Sequence, residues 1–431
     1  MVVLFKILQV IVALSLLIIV HEFGHFLFAK LFHIRVEKFY LFFDVGGKAL
    51  LRFKVGETEF GIGWLPFGGY CKIAGMVDES MDLEGLKEEP KPWEFRFHNA
   101  WQRLCVMAGG VLFNFIFAIF AYSIISGIWG SAYISNSDTE IYPNELAREM
   151  GFRPGDRILS LDDYQPQDFS MLQADLARRN VHCVRILRGD DTVRLYMDQS
   201  KIGQLLSSPM MFDIALPFVI DTVSFEANAG KLRKGDRVCA INGQKVEFLQ
   251  DAAPLLRANA SSEISADVLR DSALVSVNLQ VDSLGRIGVA LCPPVVKRQS
   301  YNFLESIPQG FKRTGEAISS YWDDLRLVAK PSTGAYKSVG SFISIGQIFP
   351  DKWDWYQFLS IIALLSIMLG VMNLLPIPGL DGGHIIITLY ELITGRKAST
   401  KFLVIAQSIG MILLLLLMFL AFGNDISRLL H

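Results

Sequence analysis

The sequence predicts a polytopic α-helical membrane protein with four transmembrane helices, β-hairpin elements close to the membrane, and a large region outside it made of two copies of a small α+β module. Three observations predict this. Apolar residues make up 51% of the 431-residue chain, more than soluble domains usually carry. They concentrate at residues 7–20, 104–128, 358–375 and 403–422, each near the roughly 20 residues that cross a bilayer as a helix. Between the second and third stretches, charged and apolar residues interleave over more than 200 positions, as in a globular domain.

The first span, residues 1–30, begins at Met1 with Lys6 ahead of its apolar run, as a signal peptide would. The run is long, no small-x-small site follows, and it leads straight into HEFGH, so a retained helix is expected. Residues 31–100 contain the alternating stretches LLRFKV and TEFGIGWL, broken by Gly-Gly and Pro-Phe-Gly-Gly turns, and read as membrane-associated hairpins. Backbone exposed to lipid is prohibitive, so these strands must pair with one another or lie beside helices or a wet cavity. The second span covers 101–129. The module regions, 130–205 and 206–296, are marked by RPGDRILSLDDYQP at 153–166 and RKGDRVCAINGQKV at 233–246, each followed by a helix-like stretch. An amphipathic linker at 297–357, a third span at 358–392 and a fourth at 400–423 complete the chain.

Lys30, Arg35 and Lys38 follow the first span, Arg96 and Arg103 precede the second, and Arg396, Lys397 and Lys401 separate the third from the fourth. The positive-inside rule makes these loops cytoplasmic. Both termini and the large region then lie on the opposite side, the periplasm in a bacterium with two membranes. Trp93, Trp101, Trp353 and Trp355 flank the spans and are expected as interfacial anchors. A net charge of −2 without a basic run does not point to nucleic acid, and none is expected as a partner. Cys71, Cys105, Cys183, Cys239 and Cys292 form no CxxC pair and are expected as small buried residues.

The chemistry concentrates in two places. HEFGH sets His21 and His25 four residues apart, on one face of a helix, where two neutral imidazoles can bind one metal ion. Glu22 is placed to take a proton from a metal-activated water and return it to a leaving nitrogen. A catalytic zinc usually has three protein ligands, and MNLLPIPGLDGGH offers Asp381 as the third, with His384 competing. Pro376 and Pro378 break the helix there, so Asn373 can face a cavity. Counted from the ends outside the cytoplasm, His21 comes after about 20 residues and Asp381 after about 23, a comparable depth. An HExxH arising by chance is commonplace on a soluble helix. An ionisable residue inside a span costs roughly 2.5 to 3.5 kcal/mol, so His21, Glu22, His25 and Asp381 need compensation such as a metal. Asn114, polar in an apolar span, either hydrogen-bonds between helices or lines the cavity, and Gly63, Pro66, Gly68 and Gly69 read most simply as turn formers.

These residues resemble those of the site-2 proteases over nearly the whole chain: HEFGH at 21–25, GWLPFGGYCKIAG at 63–75, HNAWQRLCVMAGGVLFNF at 98–115 and NLLPIPGLDGGH at 373–384. The resemblance implies an intramembrane metalloprotease of the bacterial inner membrane that cuts single-pass membrane proteins, such as an anti-sigma factor or remnant signal peptides, once another protease has trimmed them outside the bilayer. It implies a Zn2+ ion held by His21, His25 and Asp381, with Glu22 as base. It further implies that the two tandem extracytoplasmic modules are PDZ-like domains, that the strands at 39–74, with Gly63, Pro66, Gly68 and Gly69, bind the substrate extended, and that Asn373 contacts its backbone. The chain departs from the family in having Ala108, Gly109 and Gly110 where Ala-Gly-Pro is usual. Two rival readings are a non-catalytic PDZ-containing membrane adaptor, against which an intact Glu22 argues, and a zinc carrier, for which the second and fourth spans lack His, Asp or Glu residues marking a path.

Overall fold

The computed structural model describes residues 2–76, 89–198, 201, 204–205, 208, 210–331 and 334–430. Parts of the regions drawn at 31–100, 130–205, 206–296 and 297–357 therefore lie outside the described residues. The chain divides into two compact units, Met1–Ser131 with Ser300–His431, and Ala132–Gln299.

In the first unit the helices are α1 (Val2–Leu31), α2 (Ala100–Trp129), α3 (Phe303–Val328), α4 (Phe342–Ile348), α5 (Trp355–Leu374), α6 (Asp381–Thr394) and α7 (Thr400–Leu430). Among the described residues, four segments are long and apolar enough to cross a membrane: Val2–Leu31, Ala100–Trp129, Trp355–Leu374 and Lys401–Ser427. Helix α2 starts where the Asn99 side chain accepts the Gln102 N–H, and α5 where Asp354 does the same for Gln357. Helix α5 stops because Leu375, held extended ahead of Pro376, cannot continue it. The predicted third span thus resolves into two helices of 20 and 14 residues.

Helix α2 packs against α1, α3, α5 and α6. It approaches α1 at Gly24, where a Cβ would overlap the Gly109 carbonyl, so the backbones meet directly. The linker expected at 297–357 contains α3, whose Gly310 seats against the backbone of Ile119 and Ser123 on α2. Trp93, Trp101 and Trp355 are exposed. Trp353 departs from the anchoring expectation: its ring stacks on Phe358 at 4.7 Å between centroids and packs in the α1–α5 core.

The strands β1 (Val36–Phe43), β2 (Ala49–Val55), β3 (Thr58–Gly63) and β4 (Leu65–Ile73) form one sheet in the order β2-β3-β1-β4. The hairpin expectation holds for β2 and β3. It does not extend to the others, because β1 runs parallel to β3 and antiparallel to β4. Only Trp64 separates β3 from β4, too little chain for a hairpin turn, so β4 crosses to the far side of β1 and becomes an edge strand.

The second unit holds two hydrophobic cores, one around Phe152, Ile158, Leu172 and Ile186, the other around Phe218, Val238, Leu256 and Ile264. The strand Phe212–Ile214 pairs with Ile141–Pro143 and Phe212 belongs to the first core. The division between the cores therefore falls after residue 214, beyond the 205/206 boundary drawn from sequence. The sequence repeat has the same physical content in both copies. Asp156 accepts the Arg153 N–H at 2.8 Å and is gripped by the Arg188 guanidinium through two 2.8 Å bonds. Asp236 accepts the Arg233 N–H and is gripped by Arg270 in the same way. Each arginine also donates to a backbone carbonyl, Gly151 or Lys231, so the aspartate locks a turn.

Asp156→Ala is expected to destabilise the first core by roughly 2–3 kcal/mol, since it strands a partly buried guanidinium, and the loss is read by hydrogen exchange at 157–161 in the intact protein. The Arg270 hydrogen bonds hold the Asp236 carboxyl below its ordinary value of 3.8. Their contribution is complete above that value and is lost as pH falls through the lowered one. The cysteines depart from expectation, since four are half-buried and Cys292 is exposed.

Candidate metal centre

Residues 21 and 25 project from one face of α1, and their rings meet edge-on at 82° with centroids 4.9 Å apart. Their Nε2 atoms lie 3.3 Å apart. Asp381, the first residue of α6, places Oδ2 3.3 Å from His21 Nε2 and 3.4 Å from His25 Nε2. The three donors therefore form a nearly equilateral triangle. A tetrahedral ion with bonds of about 2.0–2.1 Å to nitrogen and oxygen requires donor separations of about 3.3 Å, and these three fit it. Asp381 Oδ2 is buried without a hydrogen-bond partner, an orphaned carboxylate oxygen that a cation would satisfy. A Cβ at Gly110 would overlap His25 Nε2, so glycine at this departure from the usual Ala-Gly-Pro keeps the space beside the donors open.

Helix α2 aims both rings. His25 Nδ1 lies 2.8 Å from the Val106 carbonyl; donating there leaves the Nε2 lone pair toward the triangle. His21 Nδ1 lies 3.1 Å from the amide of Asn114, which is fully buried. Amide oxygen and nitrogen are interchangeable in such an assignment, and Asn114 Oδ1 is otherwise unpartnered. With the oxygen turned to Nδ1–H, the His21 tautomer is fixed with its Nε2 lone pair toward the other donors. Of the two roles open to Asn114 in the sequence, the helix-to-helix hydrogen bond is the one found. Asn373 Nδ2 stands 3.2 Å from His21 Nε2. His384 lines the neighbouring cavity but, among the described residues, is not part of the three-donor cluster.

That cavity, of about 570 Å3, is bounded by Glu22, the three donors, residues 69–73 of β4, Asn373, and Gln407 and Met411 of α7. The Cys71 N–H reaches the Glu22 carboxylate, so at this point β4 turns its outer edge to the cavity. Lys38 and Tyr70 donate to Asp44 at 2.8 and 2.6 Å on the same wall. Burial alone would raise the Asp44 carboxyl, but these two hydrogen bonds outweigh it and hold it below the ordinary range.

Of the four loop residues expected at the substrate, only Gly69 lines the cavity. Gly63 is buried where a Cβ would overlap the Phe43 backbone, a side chain at Gly68 would meet the Phe43 ring at 2.7 Å, and Pro66 is exposed. These three shape the sheet instead. Gln407 was missed, although a lone amide within the apolar run 403–422 is a visible signal. Arg103, read from sequence only as a basic residue ahead of the second span, lies within α2 and forms with Glu391 a mostly buried ion pair at 2.5 Å that ties α6, and so Asp381, to α2.

Helix α7 braces the same loop, because a Cβ at Gly410 would overlap the Pro378 carbonyl. Gly410→Val is therefore expected to shift the turn that carries Asp381 and to lower kcat/KM for the reaction at this centre about 100-fold, the scale of a 1 Å misplacement. Kinetics on the purified variant check this, and activity within threefold of wild type would show that the brace is dispensable.

Compared with known proteins, residues 9–417 match the family described as Peptidase family M50. The chain belongs to this family. The M50 peptidase is 28% identical to "Putative zinc metalloprotease" of Vibrio cholerae, over 97% of this chain and 98% of that protein. It is 31% identical to "Regulator of sigma-E protease RseP" of Escherichia coli K12 and 30% identical to the Salmonella typhimurium protein of the same name, each over 97% of this chain and 98% of the relative. The family match takes in Glu22 and all three donors of the peptidase.

Proposed function

We propose that this M50 peptidase is a zinc endopeptidase of a bacterial inner membrane that hydrolyses a peptide bond inside the transmembrane segment of single-pass proteins, such as an anti-sigma factor or a remnant signal peptide, after a first cut outside the membrane. The observation that carries the reading is the donor triangle of His21, His25 and Asp381 beside the Glu22 carboxylate, in one cavity with the edge of β4. Two imidazoles and a carboxylate suit zinc. Bound there, the ion supplies a Lewis acid and a water acidic enough to ionise near pH 7.

The protein's own groups do the rest. Glu22, already held by the Cys71 N–H, accepts the proton of the attacking water and returns it to the leaving amine. Asn373, beside His21 Nε2, contacts the substrate backbone near the scissile bond. A helical segment hides its carbonyls in its own hydrogen bonds, so it must unwind before attack. The edge strand β4, whose residues 69–73 line the cavity, offers a template for strand addition. The two modules of the second unit are read as PDZ-like domains on the periplasmic side that admit trimmed substrates.

Cleavage of a trimmed single-span protein in detergent should stop when a chelator removes the metal and return with about one equivalent of zinc. Cleavage that persists without metal would defeat the proposal.

A further inference from the structure

We propose that Gln407 is a substrate-binding residue whose side-chain amide hydrogen-bonds the main chain of the unwound peptide beside the metal centre. The inference rests on the peptidase reading above and names a contact that this reading does not require. Gln407 is 4% exposed and lines the same cavity as Glu22, Asn373 and Asp381. Among the described residues its amide has no hydrogen-bond partner. An amide in an apolar helix is unfavourable unless something pairs with it, and this one opens onto the cavity.

The helix geometry orients it. Gln407 and Met411, four residues apart, both face the cavity, while Gly410 fixes the helix against the Pro378 carbonyl two residues before Leu380. The amide is thus held at a set position relative to Asp381. A carboxamide offers a donor and an acceptor with the spacing of a peptide unit. The partner it fits is a peptide group, which every substrate sequence presents, and not a particular side chain. Gln407 and the β4 edge then supply partners for backbone groups that unwinding sets free.

The test compares wild type with Gln407→Leu on a synthetic single-span substrate and on versions carrying one amide-to-ester replacement at successive positions flanking the scissile bond. Gln407→Leu should raise KM about three- to tenfold, the worth of one hydrogen bond, with kcat within about twofold and metal content unchanged. One ester should penalise wild type but add nothing in Gln407→Leu, because the two changes remove the same contact. Additive penalties at every position, or loss of metal in the variant, would overturn the assignment. Failure of wild type to cleave the all-amide substrate would instead remove the peptidase reading, and this proposal with it.

Discussion

Glu22→Gln is expected to lower cleavage by about 10²- to 10⁴-fold, the contribution of a positioned general base, and to leave the metal in place. Glutamine keeps the volume of the side chain and an oxygen that can accept the Cys71 N–H, so the β4 edge should stay where it is. The three donors do not include residue 22, which is why metal content should not follow activity. What the amide cannot do is take a proton from water. Kinetics on the single-span substrate, with metal quantified on the same preparation, check both halves. A variant that still cleaves within tenfold of wild type would mean that another group is the base.

Asp381→Ala should have its largest effect on the metal itself. Two imidazoles remain, and the loss in affinity should exceed the roughly 10- to 100-fold caused by changes to groups that only orient ligands. His384→Ala supplies the contrast, since it alters the same cavity wall and is not one of the three donors, and its affinity should stay within a few-fold of wild type. Competition with a chromogenic chelator measures both. Retention of metal by Asp381→Ala and loss from His384→Ala would reverse the assignment of the third ligand.

The features legible in the sequence were those written in local pattern. The four apolar runs announce themselves by composition, and HEFGH announces a metal face because an i, i+4 pair on a helix is a local arrangement. Asp381 stood out because a carboxylate inside a span needs a reason. Features set by long-range pairing were not legible. The parallel contact between β1 and β3 and the edge position of β4 depend on how strands 20 or more residues apart meet, and alternation within one strand does not encode its neighbour. The same limit explains why Gly63 and Gly68 serve Phe43 and not the cavity, and why Trp353 is a packing residue. Gln407 was legible as an anomaly, but its purpose depends on which way α7 faces, and that is a property of packing around Gly410 and Pro378.

X-ray absorption at the zinc edge, on protein purified with about one equivalent of metal, tests the donor triangle most directly. The account predicts a shell of nitrogen and oxygen at about 2.0–2.2 Å, the outer-shell scattering of two imidazoles, and no sulfur; a sulfur shell near 2.3 Å, drawn from any of the five cysteines, or scattering from a single imidazole, would contradict it.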